Sequence, residues 1–405
     1  MSAAATTPVI LSAKRTPIGR FFGGLSNVPA VKLGAYAIRA ALDEVGALKG
    51  DAAGKHVDEC IMGHVIQAGC GQNPARQAGL GAGLPDSLNA QTINKVCGSG
   101  LQAVMLAAQS IRAGDNQLVV AGGQENMTMA PHFVHARNGI KFGEAPLKDA
   151  MAHDGLFCAF EQCMMGNSAD WVANEYKITR EEQDAFAADS QQKAGKAQAA
   201  GWFDREIVAL TGEQVGNRKV PGPEGGVSKD EGIRGDSTAE GLGKLRAAFT
   251  KDGTVTAGNA STINDGGAAV VVASLAKAEA LGAKPIARIV AYHTSGVKPQ
   301  AIFTAPALAV PAVIEKAGLK MSDIDLFELN EAFAAQSLQN IKAAGVPAEK
   351  CNVAGGAIAL GHPIGASGAR VLVTLLHNMM RLDAKRGLAA LCLGGGNAVA
   401  MIVER

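Results

Sequence analysis

Net charge is what this chain most nearly lacks. Its 38 Lys and Arg stand against 37 Asp and Glu, leaving +1, so the charge balance points to no nucleic-acid or membrane-surface partner. Aromatic residues are scarce too, at 4% in a chain that is 47% hydrophobic. The interior must therefore be built from alanine, valine and glycine, which suits closely packed layers of helix and sheet. Long apolar runs are missing: the longest are short and broken by glycine, which argues against a transmembrane helix. The opening MSAAATTPVILSAKR has no apolar core behind a basic region, unlike a secretory signal. The closing MIVER is no peroxisomal tripeptide. The 7 cysteines are odd in number, scattered and never spaced CxxC, which argues against a disulfide framework and against a zinc site. A reducing cytoplasm is the expected compartment. At 405 residues the chain suggests two or three domains.

What is present is concentrated in Gly355–Arg370, GGAIALGHPIGASGAR. So much glycine is costly unless tight turns or close approaches require it. His362 sits in the middle, between Gly361 and Pro363, and a helical run is expected to start near Ser367. Two thiols are its natural partners. Cys97, in NKVCGSG, precedes an amphipathic run of Leu101, Val104, Met105, Ala108 and Ile111. A cysteine at a helix start is expected to have a lowered pKa. Cys392, in LAALCLGGGNA, ends an apolar strand-like run at Gly394–Gly396, where an α/β protein exposes groups to a ligand. Asn330 opens NEAFAA directly after another strand-like run.

Along the chain, strand-like Pro8–Ser12, Val57–Val65 and Leu118–Ala121, the last ending at Gly122–Gly123, alternate with helical stretches. From about 130 to 256 the alternation disappears, and the polar helical stretches Ala169–Glu175 and Arg180–Ala200 are followed by a long loop, Val215–Gly235. This region reads as an insertion where a bulky cofactor could dock. After Lys284 the first pattern returns. Asp325–Leu329 matches Asp58–Met62, and GASG before a helix and LAALCLGGG matches CGSG before a helix and LVVAGG. The chain reads as a duplicated α/β half with its site between the copies.

These four stretches, in this order, together with Val9–Gly19 and Lys251–Gly267, resemble the thiolases, enzymes that make or cleave 3-ketoacyl-CoA thioesters. The resemblance implies an α/β fold stacked as αβαβα layers with an inserted loop domain. The expected boundaries are 1–129 (completed by about 257–280), 130–256 and 281–405. It implies Cys97 as the nucleophile that becomes an acyl thioester, His362 as the acceptor of its proton, and Cys392 as the group that moves the α-proton. It further implies that Asn330 holds a water at one oxyanion site, with the backbone N–H groups of Cys97 and Gly394 forming the other. Ser261, Arg234, Met165, Ala260, Phe333 and Phe249 become the expected substrate and CoA contacts. No metal and no resident cofactor are implied, CoA being substrate and product.

The implied reaction is reversible condensation of two acetyl-CoA to acetoacetyl-CoA and CoA, with a medium- or long-chain 3-ketoacyl-CoA thiolase as the alternative. A homodimer or homotetramer is expected. A decarboxylating ketoacyl synthase would carry two His in place of the second thiol, and a pure CoA-binding protein needs no second thiol. Departures from the family pattern fall at GGGNA (394–398), IFTAP (302–306), GNAST (258–262), Met164 in place of His and Gly241 in place of Ser. Phe303 in IFTAP brings a bulky ring to the expected acyl pocket and predicts a short-chain preference.

Overall fold

The computed structural model describes residues 3–137, 139–140, 142–216 and 224–405; residues 217–223 of the expected Val215–Gly235 loop lie outside that set. In chain order the first half supplies β1 (Pro8–Arg15), α1 (Ala30–Glu44), β2 (Glu59–Gly63), α2 (Pro74–Gly81), β3 (Asn89–Ile93), α3 (Ser99–Ala113) and β4 (Leu118–Asn126). Then come α4 (Met165–Glu175) and α5 (Arg180–Ala199), and β5 (Asn264–Ser274) returns to the sheet. The second half supplies β6 (Ala287–Gly296), α6 (Pro306–Lys316), β7 (Leu326–Leu329), α7 (Ala334–Ala344), α8 (Ile364–Arg381), β8 (Arg386–Leu393) and β9 (Asn397–Glu404).

The strands form one ten-stranded sheet in the order β7-β8-β9-β6-β1-β5-β4-β2-β3, with Gly19–Arg20 added on β5. The order is a repeat meeting itself. β2 runs parallel to β4, β4 antiparallel to β5, and β5 antiparallel to β1. β7, β8, β9 and β6 repeat those relations. The two sets join where Val9 and Ile10 of β1 pair with Arg288 and Ala287 of β6. The duplication reaches single side chains. Asp58 Oδ2 accepts from the N–H groups of Gln117 and Leu118, and Asp325 Oδ2 accepts from those of Lys385 and Arg386.

Three apolar clusters fill the layers. One lies between α3 and α8 and reaches both sets of strands. A second joins α1 and α2 to the first set, and a third joins α6 and α7 to the second. The sequence of layers is thus helix, sheet, helix, sheet, helix. Small residues make it possible: a Cβ on Gly100 would collide with the backbone of Ala369, and one on Gly368 with that of Leu101. This reciprocal close approach draws the first turns of α3 and α8 together, and with them the segments bearing Cys97 and His362.

Two readings shift. Gly122–Gly123 do not end their strand, because β4 continues to Asn126; a side chain at Gly123 would strike the backbone at Gly365. α8 starts at Ile364, so Ser367 lies inside its first turn. Among the described residues all seven cysteines are free, and no helix is long and apolar enough to cross a membrane.

Candidate active site

Cys97 stands just outside α3, whose N-cap is Gly98. Val96 before it has φ 48°, a conformation a β-branched residue adopts only under strain that the surrounding structure sustains. The turn so made leaves the half-buried thiol facing a pocket. The expected lowered pKa is not found. Burial pushes the Cys97 thiol up to about 12, and the charge of Glu125 adds to this. The backbone N–H groups of Gly394 and of Cys97 itself, both aimed at the sulfur, pull the other way without overcoming burial. In the resting pocket burial thus favours the neutral Cys97 thiol.

His362 lines the same pocket as Cys97. Its backbone N–H donates to Asn264 Oδ1 (2.9 Å), an oxygen that also accepts from Thr262 Oγ1 (2.8 Å). Thr262, a departure from the family pattern, therefore helps pin the His362 loop. The imidazole Nδ1 lies 2.6 Å from Ser367 Oγ. The single Ser367 hydroxyl hydrogen goes to the carbonyl of Pro363 (2.8 Å), so Ser367 can only accept from Nδ1–H. The proton is therefore on Nδ1, and Nε2 carries a lone pair. Burial, aided by the charge of Arg370, pushes the imidazole down to about 3, so it is neutral at ordinary pH.

Asn330 follows β7, and its amide nitrogen lies 3.5 Å from His362 Nε2; its Oδ1 has no hydrogen-bond partner among the described residues. Cys392 is the penultimate residue of β8. Burial, and then the charge of Cys97, hold its thiol far above the ordinary value. Both thiols, His362 and Gly394 line one pocket of about 640 Å³, within the usual range for a small-molecule site. Ser261, Arg234, Met165, Ala260, Phe333 and Phe249 line the same pocket. Asn330 stands behind the wall, reaching the pocket through His362.

Three comparisons bear on this arrangement. Residues 8–276 match the family model described as "Thiolase, N-terminal domain", and residues 283–405 the one described as "Thiolase, C-terminal domain". The chain belongs to the thiolase family. Among curated thiolases, it is 53% identical over 398 residues to an acetyl-CoA acetyltransferase of Pseudomonas aeruginosa, covering 98% of this chain and 99% of that one. It is 49% identical over 407 residues to the cytosolic acetyl-CoA acetyltransferase of Mus musculus, covering both chains fully. The crystal structure of the Bacillus anthracis acetyl-CoA acetyltransferase matches over the whole of both chains with a TM-score of 0.93 and 42% identity.

The wall of this thiolase pocket near Cys392 is aromatic and apolar. Phe303 and Phe333 meet edge to face at 5.2 Å, and Phe249 meets Phe333 at 6.3 Å. Cys392 belongs to the same cluster, with Met165 packed against it. Phe303 is held from behind, its carbonyl accepting from Asn340 Nδ2 (2.9 Å). Toward the mouth, the exposed Arg234 is anchored by its backbone N–H to Gln191 Oε1 (2.7 Å). Ser261 is fixed by its N–H to the Ala332 carbonyl (2.9 Å).

Sequence reading gave no role to a buried set beside the site. Glu125 accepts from the N–H groups of Val65, Ile66 and Gly365, and its Oε1 lies 3.2 Å from His64 Nε2. Glu125 thereby ties two loops to the turn that follows His362. A carboxylate two residues past a Gly-Gly in a strand was the available signal. Burial alone would lower His64, but the Cys70 thiol and Glu125 together raise it to about 9. A folded-state value above the unfolded one of about 6.5 means the stabilisation is full below that value and fades as pH rises through about 9. His64→Gln should thus cost on the order of 3 kcal/mol at pH 6 and progressively less toward pH 10. Thermal midpoints of both proteins across that range provide the check; a constant gap would refute the assignment.

Proposed function

We propose that this chain is an acetyl-CoA C-acetyltransferase, joining two acetyl-CoA into acetoacetyl-CoA and CoA and running the reverse thiolysis. The observation that carries this is the presence of two thiols, Cys97 and Cys392, in one pocket with His362. One thiol suffices for acyl transfer; a second is needed only if a carbon–hydrogen bond is also broken. Cys97 Sγ attacks the thioester carbonyl and its proton passes to His362 Nε2. The tetrahedral oxyanion is met by donors already in place, collapse releases CoA sulfur, and that sulfur takes the proton from His362. Cys392, as its thiolate, then removes an α-proton from the second acetyl-CoA and becomes the thiol. The carbanion attacks the acetyl group on Cys97, the Cys97 thiolate leaves, and it takes up the proton held by Cys392, which restores both groups. Asn330 serves by holding a water at the oxyanion shared with His362, and the N–H groups of Cys97 and Gly394 serve the other carbonyl.

Ser261 and Ala260 contact the pantetheine arm, Arg234 lies at the nucleotide end, and Met165, Phe249 and Phe333 border the acyl and pantetheine path. The same reading includes no resident cofactor, an assembly of two or four copies, and a cytoplasmic location, which the seven free cysteines support.

The test is thiolysis of 3-ketoacyl-CoAs of increasing length with free CoA. With Phe303 filling the wall beside Cys392, kcat/KM should be higher for the four-carbon substrate than for the eight-carbon one. Phe303→Ala should raise the eight-carbon value and leave the four-carbon value nearly unchanged. A wild-type preference for eight carbons would instead make the chain a longer-chain 3-ketoacyl-CoA thiolase.

A further inference from the structure

Behind the pocket lies an ion pair that the reaction sequence above does not use. Arg370 and Glu328 are each 2% exposed, with Arg370 Nη1 3.8 Å from Glu328 Oε2. Among the described residues, none of the three guanidinium nitrogens finds a hydrogen-bond partner, and neither does Glu328 Oε2. The other Glu328 oxygen accepts only a long bond of 3.4 Å from Asn378. A guanidinium and a carboxyl taken out of water with so few hydrogen bonds cost stability, and apolar residues of similar volume would cost less. The pair therefore calls for a role other than holding the fold.

Its placement indicates one. Arg370 follows Ser367 by three residues on α8, so the two share a helix face. Glu328 precedes Asn330 by two residues at the end of β7, so the two share a side of the strand. The pair thus spans the two elements whose functional side chains, His362 held by Ser367 and Asn330, meet at 3.5 Å. We propose that Arg370, paired with Glu328, is a positioning residue: it clamps α8 to β7 and keeps a positive charge behind His362.

The charge has a chemical use. Burial, acting against the charge of Arg370, raises Glu328 to about 8, so near neutral pH most of Glu328 is protonated and does not cancel Arg370; Glu206 and Glu331 also act on Arg370, with Arg15 opposing them. A proton accepted at His362 Nε2 makes an imidazolium that Arg370 repels. That imidazolium is a strong acid and hands its proton on to the departing CoA sulfur. The other ionisable groups around His362 are Cys97 and Cys392 in the pocket, Glu125 bonded to Gly365, Glu331 next to Asn330, and Asp265 next to Asn264.

The inference rests on the thioester reaction proposed above, so wild-type thiolysis of acetoacetyl-CoA is measured first; its absence would end that reading before any variant is compared. Arg370→Met should then lower kcat roughly 10²-fold with KM little changed. It should also move the acid limb of kcat/KM to higher pH, since His362 loses its repelling neighbour. Arg370→Lys should restore the limb but only part of kcat, because an ammonium cannot span the pair as a guanidinium does. Should Arg370→Met fail to fold, the double variant Arg370→Met/Glu328→Leu, which leaves neither charge unpaired, takes the same measurements. A folded variant with wild-type kcat overturns the proposal. So does a loss of kcat with the limb unmoved, since that leaves the pair a purely structural element.

Discussion

Radiolabelled acetyl-CoA, quenched in acid, will leave its label on Cys392→Ala and not on Cys97→Ala. In the proposed reaction acylation requires a nucleophile, a base for its proton and donors for the oxyanion, roles we assign to Cys97, His362 and the N–H groups aimed at the Cys97 sulfur. Cys392 has no part in that step. Without Cys392 the acetyl-enzyme should form and then stall, with condensation reduced roughly 10²–10⁴-fold, the usual worth of a general base. Label on Cys97→Ala but not on Cys392→Ala would reverse the two assignments.

Replacing His362 with Asn will nearly abolish acetyl-enzyme formation, by roughly 10²–10⁴-fold, and will change its pH dependence. In the wild type, Cys97 is raised to about 12 and His362 lowered to about 3. Between those values the thiol is protonated and the imidazole free to accept, so acylation should vary little with pH on account of this pair. Without the imidazole only the ionised thiol reacts. Its fraction grows about tenfold per pH unit below the thiol's own value, and so should the rate. Brief iodoacetamide treatment followed by mass spectrometry of the Cys97 peptide reads the same difference without substrate. A variant whose Cys97 reacts at the wild-type rate across neutral pH would show that His362 is not its base.

The residues gathered in the pocket were legible because local chemistry marks them. Cys97 precedes a helix, Cys392 meets three glycines at a strand end, and His362 stands between Gly361 and Pro363. The duplicated fold was legible from Asp58 and Asp325, which play identical hydrogen-bonding roles. What was not legible comes from residues far apart in sequence. The helix start argued for a low Cys97 pKa, but enclosure by the opposing half reverses the sign; Leu393 and Val399 both crowd Gly98, the next residue. Glu125 finds Gly365, and Arg370 finds Glu328, only once the halves have met. Gly122–Gly123 had the look of a strand end because a close backbone approach and a turn both call for glycine.

The duplication also bears on how many reaction centres one chain can hold. Matching Asp58 with Asp325, and Gly100 with Gly368, places a counterpart for each part of the site in the other half. Gly365 corresponds to Cys97, Gly63 to Asn330 and Gln124 to Cys392. At that mirrored location Glu125 bonds the Gly365 N–H, and His64 lies against it. The first location is open and lined with sulfur; the mirrored one is occupied by a carboxylate and an imidazole that brace the loop of the first. The second location thus serves as a support for the first, and in the proposed reaction the chain carries one acyl group at a time, on Cys97.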